Sequence, residues 1–105
     1  MQDGPDISAI AAAMGDPGRS NMLLALMSGL ALTATELARE AGISSSTASG
    51  HLAKLKAVGL VTSEKSGRYR YFRLTDADVA HAVEALVTVA ARAGRIPEIS
   101  SSEAV

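Results

Sequence analysis

The chain has 105 residues, 48% of them hydrophobic but only 3% aromatic, and a formal net charge of −1; this suits one domain of close-packed, Ala-rich helices better than a β-sandwich. With no cysteine, disulfides, thiolate metal ligation and thiol redox sensing are excluded. No apolar run reaches the ~18 residues of a membrane span, and the opening MQDGPDIS lacks the basic and apolar regions of a signal peptide, so a soluble, cytoplasmic protein without membrane contact is the expectation.

Residues 1–6 read as a flexible N-terminus and residues 7–94 as the folded domain. Ile7 to Met14 is a short apolar helix, ended by Gly15, whose small residues would let another helix approach closely. Asp16-Pro17 restarts the chain, with Asp16 as N-cap and Pro17 at the first helical position, where a missing N–H costs nothing. The helix that follows is expected to run through Met27, carrying Met22, Leu23, Leu26 and Met27 inward, and to stop at Ser28-Gly29. Thr33 and Glu36 then form a capping-box pattern, with Leu37, Ala38 and Ala41 on one face of a helix that Gly42 stops. The next helix opens at Ser44, repeats Leu52, Leu55 and Val58 at helical spacing, and closes before Gly59. Two helices joined by a tight Gly-containing turn, the second rich in small polar residues near its start, are the pattern of a DNA-reading helix-turn-helix.

Beyond Gly59 the period changes to two. LVTSEK and RYRYFRL flank Ser66-Gly67, a turn with the glycine that hairpin loops often need, which predicts a two-stranded β-hairpin. Alternation puts Arg68 and Arg70 on one strand face and Tyr69 and Tyr71, read as packing groups, on the other. Thr75 and Asp78 make a second capping-box-like start. Val79, Val83, Leu86, Val87 and Ala90 form an apolar stripe along the helix that follows, which Gly94 ends. Such a helix, of ~18 residues, spans about 27 Å. Only the polar residues 95–105 remain, read as a flexible tail, so the stripe faces no obvious further element. Together with the first helix, through Ile7 and Ile10, it is expected to pair with a second copy of the chain. The expected fold class is mainly α with a small β-hairpin, a dimeric winged helix-turn-helix in the order α-α-α-α-β-β-α.

The net charge hides its distribution. Residues 51–73 carry Lys54, Lys56, Lys65, Arg68, Arg70 and Arg73 against Glu64 alone, a balance of +5, whereas residues 1–50 and 74–105 each come to −3. Positive charge therefore falls on the second helix of the pair and on the hairpin, where phosphate contacts would be needed.

The motifs MGDPGR (14–19), TATELAREAGIS (33–44), STASGHLAKLKAVGLV (46–61) and GRYRYFRLT (67–75) resemble the ArsR/SmtB family of bacterial transcriptional repressors, over roughly residues 7–92. The resemblance implies a homodimer joined through its first and last helices, binding to a palindromic double-stranded operator, and release of DNA when an inducer binds. It also implies that the chain is similar to the DNA-binding half of longer family members, of which it would be a minimal version. Metal-sensing relatives place cysteines near the start of the third helix, where this chain has Thr33, Ala34 and Thr35. Their other site uses Asp, His, His and Glu on the last helix. Asp76 matches the first ligand, but Asp78, Val89 and Arg92 stand at the other positions; valine cannot ligate, and arginine adds a positive charge. No cofactor is expected, and the inducer is unknown. Asp78, His81 and Glu84 remain on the last helix, an exposed polar face on the preferred reading, a Ni²⁺ or Co²⁺ site shared across a dimer on the other. Met14, Met22 and Met27 read as flexible core filler.

For DNA, Ser44 is expected to cap the recognition helix, leaving amides free to meet a phosphate. Ser45, Ser46, Thr47 and Ser49 lie in its first turns, which face base edges in helix-turn-helix proteins. Gly50 stands where relatives carry a longer polar residue. A mid-helix glycine costs ~1 kcal/mol relative to alanine, and here it either permits close approach to DNA or only weakens the helix. No Arg, Asn or Gln lies between Ser44 and His51, so short hydroxyl and water-mediated contacts, with DNA shape, are expected to carry specificity. His51 matches the family's His-Leu pair and is assigned to phosphate contact or packing. Lys54 joins the DNA-binding set, although it and Lys56 are equally readable as surface charges. Lys65, Arg68 and Arg70 supply the wing contacts, and Arg19 is read first as a structural ion pair. No nucleophile–base constellation is legible, so no enzyme is expected. The alternative of a different class is a winged helix used for protein–protein contact, in keeping with the slightly negative total charge.

Overall fold

The computed structural model describes residues 5–95; the expected flexible ends fall, at residues 1–4 and 96–105, outside the described residues. Helix α1 (Ile7–Met14) opens on Asp6, whose carboxylate accepts from the Ser8 hydroxyl (2.6 Å) and the Ala9 N–H (3.1 Å). Those two bonds hold the Asp6 carboxyl below the usual carboxylate range. Asp6 is therefore a helix cap and not part of a frayed end. Helix α2 (Pro17–Ala25) is capped as expected by Asp16, which accepts from the Arg19 N–H at 3.0 Å. It stops short of Met27, because Leu26–Ser28 tighten into a 3₁₀ turn closed by Gly29.

Helix α3 (Ala34–Ala41) carries a complete capping box, with Thr33 and Glu36 each accepting from the other's backbone N–H. Gly42, at φ +70°, donates to the Arg39 carbonyl, and Ile43 donates to that of Ala38, the bond pair of a Schellman stop. Helix α4 (Ser45–Ala57) ends the same way, with Gly59 donating to Lys56 and Leu60 to Leu55. Both helices of the pair are thus bounded by local chemistry, which is why their limits were legible.

The sheet is larger than expected. Leu32–Thr33 form a short strand, β1, so β2 (Val61–Ser66) and β3 (Tyr69–Leu74) belong to a three-stranded antiparallel sheet of order β1-β3-β2. Leu32 pairs with Phe72 and Thr33 with Tyr71. A strand of two residues shows no alternation, and Thr33 doubles as the cap of α3, which is the signal it does show. In the hairpin Ser66 pairs with Tyr69, which places the turn at Gly67-Arg68 and not at Ser66-Gly67. Gly67 has φ +65° and Arg68 does not share the positive sign, the pattern of a type II′ turn.

The core lies where α2, α3 and α4 meet the sheet. Met22, Leu23, Leu26, Leu37, Leu52 and Leu55 are its largest fully buried side chains, and Leu60 and Val61 close it beneath the hairpin. Helix α5 (Ala77–Arg95) is capped by Asp76, which accepts from the Val79 N–H at 3.0 Å. The expected cap, Thr75, instead donates its hydroxyl to the Gly59 carbonyl (2.7 Å) and its N–H to that of Leu60 (3.1 Å), tying the end of β3 to the end of α4. Gly94 does not end this helix, which continues to Arg95. Its stripe is also not wholly unpartnered. Val83 is 5% exposed and belongs to the core, with Val79 packed against it. No helix among the described residues is long and apolar enough to cross a membrane.

Candidate nucleic-acid interface

Helix α4 divides cleanly by face. Ala48, Leu52 and Leu55 are buried, while Ser45, Ser46, Thr47, Ser49, Gly50 and Lys54 are exposed. Ser44 Oγ accepts from the Thr47 N–H (3.1 Å) and donates to Thr47 Oγ1 (2.9 Å), with Ser46 Oγ at 3.3 Å, so the hydroxyls at the helix start support one another. At Gly50 a Cβ would meet no atom within 4 Å, so this glycine is not demanded by packing.

His51 does not share that face. It is half-buried, with Nε2 3.3 Å from Asp16 Oδ2 and Nδ1 3.1 Å from Arg19 Nη1. A guanidinium only donates, so Nδ1 is the acceptor and the neutral ring carries its proton on Nε2, toward Asp16. Of the two roles expected for His51, this geometry fits packing. Gly18 makes room for it, since a Cβ there would lie 3.0 Å from the imidazole Nε2.

Arg19 likewise differs from the expected ion pair. Its Nε donates to the Ala13 carbonyl (2.6 Å) and its Nη2 to that of Ala12 (3.4 Å), while Ser20 Oγ donates to Met14. These carbonyls belong to the last turn of α1, where Ala12 also accepts from the Gly15 N–H at 3.2 Å. Arg19 therefore fastens α1 to α2 and, through His51, both to the recognition helix. The Arg19 N–H also holds the Asp16 carboxyl below the usual range against partial desolvation, with the Arg19 guanidinium adding to the effect.

In the wing, Arg70, Phe72 and Leu74 share one strand face, and Tyr69, Tyr71 and Arg73 the other. Arg68 sits in the turn, outside the alternation, with its guanidinium carbon 6.0 Å from the Tyr69 ring centre. Tyr69 and Tyr71 meet edge to face at 6.4 Å, but Tyr69 is 53% exposed, so it packs on its neighbour and not into the core. Lys65 stands directly opposite Arg70. Lys56, left undecided by the sequence, reaches the wing and donates to Ser63 Oγ at 2.9 Å. Helical spacing does not separate Lys56 from Lys54, and the contact to Ser63 is what distinguishes Lys56.

A second surface is apolar. Ile7 is 76% exposed and Leu86 51%, with Val87 and Ala90 also exposed. Leu86 borders both a cleft against α2, shared with Met14, Leu23, Leu24 and Val83, and a wider one against α1, shared with Ile7, Ile10 and Val89. Leu24 carries no sign of this role in the sequence, and Val89 stands out there only as a residue that cannot ligate a metal. Asp78, His81 and Glu84 follow one another along α5, but among the described residues no group of three His, Cys, Asp or Glu side chains is disposed to hold a metal ion.

Residues 16–63 match the family model of the arsR family of bacterial regulatory proteins. The HTH-type transcriptional regulator YdfF of Bacillus subtilis, itself uncharacterized, is 46% identical over 89 residues, which cover 85% of this chain but only 39% of YdfF. The HTH-type transcriptional regulator CmtR of Mycobacterium tuberculosis is 34% identical over 83 residues, 79% of this chain and 70% of CmtR. The NMR structure of CmtR, a cadmium metal-sensor, superposes with a TM-score of 0.66 over 79% of this chain and 85% of that one. In fold, the homodimeric winged helix-turn-helix DNA-binding domain of a possible ArsR-family regulator from Mycobacterium bovis is similar at a TM-score of 0.78 and 24% identity, over 93% of this chain and 97% of that one. A helix-turn-helix with Schellman stops, a basic wing on its sheet and relatives of this kind lead to one assignment: the chain belongs to the arsR family of bacterial regulatory proteins.

Proposed function

We propose that this regulator works in the cytoplasm as a homodimer that binds a palindromic operator, represses transcription by occupying it, and catalyses no reaction. The single observation that carries the reading is an exposed hydroxyl face on α4 beside a wing edge whose cations, Lys65 and Arg70, have no carboxylate partner within ion-pair distance among the described residues. Ser45, Ser46, Thr47 and Ser49 would meet base edges, Ser44 and Lys54 the backbone near the helix, and Lys65, Arg68 and Arg70 the backbone at the wing. Pairing of the α1–α5 face would set two recognition helices about 34–36 Å apart, one turn of DNA. The cadmium sensing of CmtR is not carried over. A soft cation favours thiolates, and this chain has no cysteine.

The test is binding to the DNA upstream of the protein's own gene as salt is raised. With several Lys/Arg–phosphate contacts, affinity must fall linearly on a log–log plot, with a slope of about −0.9 per contact. No affinity for that duplex at low salt would sink the reading and favour the protein–protein alternative.

A further inference from the structure

Ser63 Oγ is approached by two cations from different elements, Lys56 Nζ of α4 at 2.9 Å and Arg70 Nη1 of β3 at 3.2 Å. A serine hydroxyl has two lone pairs and one proton. Both lone pairs are taken, so only the O–H is left to give, and among the described residues nothing accepts it. The lysine and guanidinium also keep unused N–H groups. Three side chains therefore converge with donors alone, and the nearest cross-strand neighbour of Arg70 is another cation, Lys65. Beside them opens a cleft of about 200 Å³ between the recognition helix and the wing, whose walls include Ser49, Ala53 and Phe72. Donors without acceptors fit the oxygens of a phosphate, and the apolar wall fits the face of a sugar.

We propose that Lys56, Ser63 and Arg70 form one seat for a single DNA backbone phosphate, with its deoxyribose against Ala53 and Phe72. The seat rests on the DNA-binding reading and adds to it a mechanical role. Because its parts come from α4, β2 and β3, one phosphate clamps wing and recognition helix to the same strand. Such a contact positions the protein without reading sequence.

The experiment compares wild type with Lys56→Gln, Arg70→Gln, the double variant, and Arg92→Gln on α5 as a control for long-range charge. Binding to the upstream duplex and to an unrelated duplex is followed by fluorescence anisotropy from about 0.05 to 0.5 M salt, and thermal melts confirm folding. A shared seat predicts that the double variant loses about 0.9 of the salt slope, the release from one phosphate, on both duplexes alike. That corresponds to about eight-fold weaker binding at ~0.1 M salt, fading toward 1 M. A loss of about 1.8, two separate contacts, would overturn the seat, as would a double variant indistinguishable from Arg92→Gln. Failure of the wild type to bind either duplex would instead overturn the DNA-binding reading beneath it.

Discussion

Val83 and Leu86 lie about one turn apart on the stripe of α5, yet they should fail in different assays. Val83 is 5% exposed and part of the protomer core. Val83→Ala deletes the equivalent of two buried methylenes, about 0.8 kcal/mol each, plus a cavity term, for about 2 kcal/mol in all. At about 4–8 °C per kcal/mol for a domain of this size, the melting temperature should fall by roughly 8–16 °C. Leu86 is 51% exposed, so truncating it leaves much of the protomer's stability intact. In a dimer, however, each copy would withdraw the remaining half of that side chain from water, worth about 1 kcal/mol. An isologous interface contains it twice. Leu86→Ala should therefore weaken dimerisation by about 2 kcal/mol, roughly thirty-fold, and Leu86→Glu, which would bury a charge, should leave monomers. Sedimentation across a concentration series, with melts at two concentrations, separates the two effects. A Leu86→Glu protein that still sediments as a dimer would place the interface elsewhere, and a Leu86→Ala protein that melts as early as Val83→Ala would refute the division of the stripe.

Gly50→Ala should raise stability by about 1 kcal/mol, because the helix gains a better former in open space, while lowering DNA affinity if the backbone approaches DNA there; unchanged affinity in anisotropy titrations would deny Gly50 that role. Arg19→Ala removes charged donors from the Ala12 and Ala13 carbonyls, and with partial exposure should cost about 2 kcal/mol in urea unfolding; an effect below about 0.5 kcal/mol would contradict the fastening role. The depressed Asp16 carboxyl contributes stability that is complete above the ordinary aspartate range and is lost as pH falls through its lowered value. Wild type should therefore destabilise more steeply than Asp16→Asn below about pH 4, and parallel curves in urea melts at stepped pH would remove Asp16 from the acid response.

What could be read from the residues was governed by range. Caps and stops act within a few residues, so Asp16, Thr33, Gly42, Ser44 and Gly59 announced themselves. The Thr75-Asp78 pattern misled because it met the local rule while Thr75 was drawn to Gly59, which only the folded chain brings near. The α5 stripe was legible as a stripe, but its division was not. Periodicity shows that Val79, Val83 and Leu86 share a face, and cannot show that the helix leaves its own core between Val83 and Leu86. Lys54 and Lys56 pose the same problem at the site. His51 looked like a candidate for phosphate because it lies in the recognition helix, but its ring nitrogens face α2.

The hairpin shows how a domain of net charge −1 can present a cationic edge. Glu64, the sole anion of residues 51–73, pairs with Arg73 at 3.5 Å on the strand face that also holds Tyr71. Lys65 and Arg70 lie opposite each other on the other face, where no neighbouring strand position is acidic. Like charges directly opposed in a sheet are destabilising, and among the described residues no carboxylate lies within ion-pair distance of this pair. Side-chain period in a strand is two, so a slip of one residue would turn Glu64 toward the basic edge and Lys65 away from it. The register is set by the two-residue turn at Gly67-Arg68, and that turn requires the positive φ of Gly67. Gly67 thus decides which charges the wing presents on each face, and the sign of the charge there follows from a backbone angle as much as from the count of arginines.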